Sequence, residues 1–329
     1  ATLCVYLLRM REYYRWRHKI ALGVRLSLDD VGDWVADAEE HWDEIEHSPY
    51  VALDIAGQRI APFDTEAVNA ALNANDYPLV YSAGEGRRGK PHFMLAEKIS
   101  QQSDAGMELY VCGRELARDI VAQPAMARDS ALWVRHDSVR RYLWELYEEW
   151  SFNKPEGAMA RLAERYGFAD SDTLDAAIDE AARAVRPVLV EHERGELVAG
   201  QYLPDAWASM AAESIGTQNE FYIRAVRDNL ADSLRTWPMI VATEDAACLD
   251  FWLAGVNGAR QQLFKSSVAV PLFSAASDAE RMERLAALTE PAVAWWGELA
   301  QRMVDVYSVQ GADCDFAQFA AHTSLAETA

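Results

Sequence analysis

Apolar residues recur every three or four positions along most of the chain, which is the spacing of amphipathic helices. The pattern predicts helices over residues 3–18, 27–45, 115–122, 136–150, 155–166, 171–190, 204–214, 219–236, 238–264, 277–288 and 291–309. Ser27 stands three positions before Asp30, a spacing that resembles a capping box at the start of the second helix. The pattern therefore predicts a mainly helical protein.

Helical periodicity stops between residues 51 and 113. Two short strands around a tight turn are predicted at 53–55 and 58–60, a short helix follows at 64–72, and further strands are predicted at 79–81, 92–95 and 107–111. The predicted fold class is mainly α (α+β), a helical bundle with a small antiparallel β-sheet inserted between about residues 50 and 113. Two regions are expected, 1–152 with the first helices and the sheet, and 153–329 with helices only, packed together with no clear linker.

The chain is strongly acidic, with 52 Asp and Glu against 31 Lys and Arg and a formal net charge of −21. That charge opposes association with nucleic-acid phosphates and with anionic membrane surfaces. The apolar run from Leu3 to Leu8 is too short to cross a bilayer, so no membrane insertion is expected. A cytoplasmic protein with a protein partner is the prediction, and the four dispersed cysteines, which form no CxxC pair, are expected to be reduced and mostly buried.

Gly84 to Lys90 has the G-x4-G-K spacing of a phosphate-binding loop. Such a loop needs a Ser or Thr after the Lys and then a helix, but here Pro91 and a predicted strand follow. The segment is therefore expected to be a hairpin connection. An anion contact through Arg87, Arg88 and Lys90 is the alternative.

Two pairs of residues have the spacing of metal ligands on a helix. Glu44 and His47 form a Glu-x-x-His pair, although the second such pair found in di-iron bundles is missing. His192 and Glu196 are four positions apart, so both side chains face the same way and could share a divalent metal ion. Solvated helix ends would explain the same four residues, and the sequence implies no other cofactor.

The helices at 9–18 and 135–150 mix aromatic residues with charges on nearly every face. If both helices pack inside the protein, their buried charges must be paired, because an unpaired buried ion costs several kcal/mol. The sequence favours a structural network of ion pairs and leaves a polar ligand pocket as the alternative. The candidate pocket residues are Glu12, Arg114, Glu115, Arg141 and Glu145.

The opening segment Leu3–Trp16, the strand start Gly89–Phe93, the segment Gly113–Asp119 and the run Arg141–Glu145 together resemble an uncharacterised family of bacterial proteins. The resemblance implies a bacterial source and a short segment upstream of Ala1. It implies no activity and no catalytic residue.

No complete catalytic signature is present, so whether the chain is an enzyme stays open. The leading functional prediction is a non-catalytic binding or accessory protein that docks on another protein, because the chain has a large helical surface, many aromatic residues and no complete catalytic signature. The pairs Trp295-Trp296 and Phe251-Trp252 lie in helical apolar patterns and are expected in the core, or at a docking surface if they are exposed. The alternative is a metal-dependent enzyme with a Glu/His site inside a helical bundle. A third possibility is small-molecule binding at Arg114, Glu115 and the first helix, which requires a concave pocket there.

Overall fold

A computed structural model describes residues 3–85, 91–104, 106–128, 130–265 and 277–321 of the chain. The chain forms two compact units. The first consists of Ala1–Glu145 and Gly167–Ala182, and the second of Leu146–Tyr166 and Arg183–Ala329. The protein is mainly helical with an added β-structure, which confirms the predicted fold class.

The first unit contains helices α1 (Leu3–Arg17), α2 (Leu28–Ile45) and α3 (Thr65–Ala74), and α4 (His136–Ser151) begins in it. The predicted start of α2 is confirmed, since the Ser27 side chain accepts a hydrogen bond from the backbone N–H of Asp30. The predicted helix at 171–190 is divided in two, α6 (Leu174–Ala184), most of which lies in this unit, and α7 (Arg186–Ala199).

The described residues of the first unit form two sheets. Strands β1 (Leu53–Ile55) and β2 (Gln58–Ile60) form an antiparallel hairpin. The larger sheet has the order β3-β4-β5-β7-β6, and its strands are β3 (Leu79–Glu85), β4 (Pro91–Asp104), β5 (Met107–Arg118), β6 (Ala125–Arg128) and β7 (Ala131–Arg135). Pairing is antiparallel except between β5 and β7, which run parallel, so this sheet is mixed and extends to residue 135.

The helix predicted at 115–122 is wrong, because β5 continues through Arg118. Burial in this segment alternates as in a strand, with Glu115 buried and its neighbours Arg114 and Leu116 exposed. The inward positions carry charged side chains, so the apolar alternation that marks a strand is absent from the sequence. Ion pairs formed in the tertiary structure allow these charges to be buried.

The second unit is helical in its described part, with α5 (Ala158–Tyr166), α7, α8 (Trp207–Glu213), α9 (Asn219–Ala231), a π-helix (Asp232–Thr236), α10 (Trp237–Thr243), α11 (Ala246–Gly255), α12 (Gly258–Lys265), α13 (Asp278–Gln310), a 3-10 turn (Gly311–Asp313) and α14 (Gln318–Ala321). The single helix predicted at 238–264 is divided into three. The two helices predicted at 277–288 and 291–309 are one, with Pro291 inside α13.

The aromatic pairs belong to the core of the second unit. Trp295 and Trp296 are 5% and 0% exposed, and Phe251 and Trp252 are 2% and 4% exposed. These four side chains are therefore packing residues and do not form an exposed docking patch. None of the described helices combines the length and the apolar character needed to span a lipid bilayer.

Candidate functional site

The first unit contains a cavity of about 630 Å³, lined by residues of α1, the loop that follows it, β5, α4 and α6. This volume lies in the range of small-molecule pockets, roughly 300–1,000 Å³. Its basic lining residues are Arg15, Arg17, Lys19, Arg114, Arg118, Arg140 and Arg141. Its acidic lining residues are Glu12, Glu115, Asp137 and Asp175. Its apolar lining residues are Trp16, Ile20, Ala21, Leu22 and Leu116.

Glu115 on β5 is the centre of a buried ion-pair network at this cavity. Its carboxylate accepts hydrogen bonds from Arg135 Nε at 2.7 Å and from Ser138 Oγ at 2.8 Å, and Arg118 NH1 lies at 3.5 Å. Burial raises the pKa of Glu115, but the charges of Arg135 and Arg118 outweigh it and leave the pKa below its ordinary value. Glu115 is therefore an anion that the surrounding arginines hold in place.

Glu12 and Arg15 connect α1 to the loop that follows it. The Glu12 carboxylate accepts from Arg11 Nε at 2.9 Å and from Arg15 Nε at 3.2 Å. Arg15 NH1 in turn donates to the carbonyl oxygens of Ala21 at 2.7 Å and Val24 at 3.0 Å. These bonds fix the loop of residues 18–24 against the end of α1, and this loop carries Lys19 on one side of the cavity.

The two aspartates of the cavity also accept hydrogen bonds. Asp137 accepts from the backbone N–H of Glu115 at 2.9 Å, which ties the start of α4 to β5. Asp175 accepts from Arg140 NH2 at 2.7 Å and from the backbone N–H of Leu22 at 3.0 Å. All four carboxylates around the cavity thus have partners within the first unit.

The cations around the cavity are less completely paired. Arg17 and Lys19 are exposed and form no salt bridge with the described residues. Buried Arg118 has only long contacts, 3.5 Å from NH1 to Glu115 and 3.4 Å from NH2 to the carbonyl oxygen of Glu12, and its Nε has no hydrogen-bond partner among the described residues.

Arg118 also lies among other positive charges and aromatic rings. Burial lowers the pKa of its guanidinium, and the charges of Arg141 and Arg135 lower it further, against the opposing effect of Glu115. The guanidinium carbon is 4.9 Å from the ring centroid of Trp16 and 5.7 Å from that of Tyr13. These aromatic faces stabilise a cation that has few hydrogen bonds.

The structure brings most of the predicted pocket residues together. Glu12, Arg114, Glu115 and Arg141 line this cavity. Glu145 is not part of the lining and lies beside it, where its carboxylate is 2.5 Å from Arg141 NH1.

The sequence interpretation missed Arg17, Lys19, Arg118, Asp137, Arg140 and Asp175 as members of the cavity lining. The basic run at residues 9–17 could have indicated that Arg17 lies at the cavity. Asp175 is far from the others in the sequence, and no local pattern indicates that it belongs to the lining.

The predicted metal ligands have different surroundings. Glu44 and His47 are exposed, and Glu44 Oε2 is 3.6 Å from Nδ1 of His41 in an exposed pair. His192 and Glu196 lie together in the second unit, and Asp228 joins them, with one donor atom from each of the three residues within 4.8 Å of the others. Among the described residues this is the group that could hold a metal ion. Arg87, Arg88 and Lys90 lie outside the described residues.

Two family models match consecutive parts of the chain. The "Family of unknown function (DUF6866) N-terminal domain" matches residues 1–135, and the corresponding C-terminal domain matches residues 140–324. No curated protein matches the chain, and neither does any solved structure.

Proposed function

Because the chain belongs to the DUF6866 family, a family of unknown function, we propose its function from the cavity of the first unit: it binds a small organic anion there, one that carries a carboxylate or phosphate group. Binding of this kind does not require the site to catalyse a reaction. This corresponds to the small-molecule alternative that the sequence left open.

The charge balance of the cavity carries the proposal. Seven Arg and Lys side chains and four carboxylates line it, and Arg141 and Arg114 also pair with Glu145 and Glu97 outside the lining, whereas the whole chain has a formal net charge of −21. A surplus of cations around a cavity in an otherwise acidic protein attracts a small anion toward that position. A closed network of ion pairs, which is the structural explanation, accounts for the four carboxylates. It gives no partner to Arg17, to Lys19 or to part of the Arg118 guanidinium.

The lining also indicates which kind of anion fits. Arg17 and Lys19 supply accessible donors, and the rings and alkyl groups of Trp16, Ile20 and Leu116 supply apolar surface. A molecule with one anionic group and an apolar body would contact both. A hydrogen bond to a charged group contributes about 1.5–3 kcal/mol, so losing one such contact weakens binding roughly 10- to 100-fold.

Isothermal titration calorimetry on the full chain tests this proposal with inorganic phosphate, citrate and phenyl phosphate as probes. We expect saturable binding of at least one probe, weakened roughly 10- to 100-fold in Arg17→Ala or Lys19→Ala. Affinity should also fall with added salt, because the contacts are ionic and partly exposed. The matched control is Lys98→Ala, since the Lys98 ammonium donates to Asn73 at 2.6 Å and does not line the cavity.

If none of the probes binds, or if Lys98→Ala weakens binding as much as Arg17→Ala and Lys19→Ala do, the cavity is not an anion site. In that case the charges around it form a structural network only.

A protein partner, a bacterial source and a cytoplasmic location stay predictions of the sequence. The Trp295-Trp296 and Phe251-Trp252 pairs are buried, so these four residues give no support to docking. Anion binding therefore has more support here than protein docking.

A further inference from the structure

The second unit contains a group of ionisable side chains held together by close helix packing. His192 and Glu196 are one turn apart on α7, and Asp228 lies on the neighbouring helix α9. Gly195 stands between His192 and Glu196, and a Cβ atom there would lie 2.3 Å from the carbonyl oxygen of Ala231. The absence of a side chain at 195 lets the two helices approach closely enough for the three side chains to meet.

Asp232 orients the imidazole of His192. Its Oδ1 lies 2.7 Å from His192 Nδ1, and the same carboxylate accepts from Thr236 Oγ1 at 2.9 Å and from Trp252 Nε1 at 2.7 Å. In a neutral imidazole whose Nδ1 donates to Asp232, the lone pair is on Nε2, and this nitrogen is 3.6 Å from Glu196 Oε1. Burial lowers the pKa of His192, but Asp232 and Glu196 outweigh it and raise the pKa well above its ordinary value, so an ion that binds at Nε2 displaces a proton. A carboxylate behind the imidazole is the usual support of a metal-ligating histidine.

Glu196 and Asp228 bring two carboxylates to the same place. One donor atom from each lies within 4.8 Å of the other and of a ring nitrogen of His192. A cation placed between them is attracted by both negative charges.

Arg227 provides a positive charge at this position. Its NH2 lies 2.7 Å from Glu196 Oε1 and 3.2 Å from Asp228 Oδ1. The side chain of Arg227 is 29% exposed, so it has room to turn toward solvent. Asp228 also lines an open cleft of about 470 Å³, through which a small ion can reach the Asp228 carboxylate.

We propose that His192 Nε2 and the carboxylates of Glu196 and Asp228 bind one divalent transition-metal ion, and that the guanidinium of Arg227 leaves its place between the carboxylates when the ion binds. One imidazole and two carboxylates suit Zn²⁺ or Mn²⁺. Three protein ligands leave at least one coordination position open, as in catalytic zinc sites. The adjacent π-helix, Asp232–Thr236, is an element often found at functional sites.

The test is a calorimetric titration of ZnCl2 and of MnCl2 into the full chain, purified without metal-affinity resin and treated with a chelator. We expect one ion per chain, with binding lost in His192→Ala and in Asp228→Asn. Arg227→Gln should bind the ion roughly tenfold more tightly or better, because a competing charge-assisted contact is gone.

His41→Ala is the matched control, because His41 forms an exposed pair with Glu44 at 3.6 Å and that pair has no third ligand among the described residues. Circular dichroism checks that each variant folds. If His192→Ala does not fold, the loss of metal binding in Asp228→Asn and Glu196→Gln tests the site instead, since each of these changes removes a charge with almost no change of shape.

Two results would overturn the site: no ion bound by the unmodified chain, or binding that survives in Asp228→Asn and Glu196→Gln. Weaker binding in Arg227→Gln would show that this arginine is not displaced by the ion. The result is independent of anion binding in the first unit, because neither set of variants touches the other group.

Discussion

Replacing Glu115 with glutamine keeps the shape of the side chain and removes the negative charge at the centre of the buried network in the first unit. The Glu115 side chain is 0% exposed, and the side chains of Arg135 and Arg118 are 1% and 2% exposed. In Glu115→Gln both guanidinium groups lose the carboxylate that compensates their charge, and Arg135 keeps a more distant one, Asp119 at 3.9 Å.

The size of the effect follows from this burial. Removing one partner of a buried ion pair costs about 3–5 kcal/mol, because the remaining charge stays desolvated. Spread over a unit of this size, such a loss lowers the midpoint of thermal unfolding by roughly 6–20 °C. We expect Glu115→Gln to be destabilised by this amount.

Thermal and urea unfolding, followed by tryptophan fluorescence, measure the loss. Glu97→Gln is the matched control on the neighbouring strand, because Glu97 and Arg114 form an exposed pair at 2.8 Å with 45% and 61% exposed side chains. An exposed pair contributes about 0–1 kcal/mol. A loss below about 1 kcal/mol in Glu115→Gln, or a loss equal to that of Glu97→Gln, would refute the reasoning.

The loss of stability in Glu115→Gln should depend on pH. The folded protein holds the pKa of Glu115 below the ordinary value of 4.5. The stability that Glu115 contributes is therefore fully present above that ordinary value, and it is lost as the pH falls through the lowered one. The gap in stability between the unmodified chain and Glu115→Gln should close at acidic pH.

Two further predictions concern packing and thiols. Gly195→Ala should destabilise the second unit by about 1–3 kcal/mol in urea unfolding, because its Cβ would meet the Ala231 carbonyl oxygen, whereas Gly200→Ala, with nothing within 4 Å of its Cβ, should change little. Equal losses in the two variants would contradict this. In the folded chain a thiol reagent should modify Cys4, which is exposed, and should not modify Cys112, because burial raises the pKa of that thiol to about 12. Denaturation should make all four thiols react. Rapid reaction of more than one thiol in the folded chain would contradict the burial of the other three.

Much of the helical structure and part of the cavity could be predicted from the sequence. The cap at Ser27 and the helix from His136 depend on residues close together in the chain, so local periodicity and capping chemistry predict them. Glu12 and Glu115 were singled out because aromatic residues around charges indicate burial, and buried charges require partners. The close spacing of His192 and Glu196 likewise follows from their positions on one helix.

The tertiary structure decided what depends on distant partners. Residues 115–118 form a strand because Arg135, on the parallel strand β7, compensates the charge of Glu115, and no local pattern in the sequence contains that contact. Asp175 reaches the cavity, and Asp228 reaches His192, only after helices far apart in the chain have packed. The sequence alone thus determines which residues have helical spacing and which charges need partners, whereas the partners themselves are chosen by packing, because a buried charge is stabilised only by the groups that the fold places beside it.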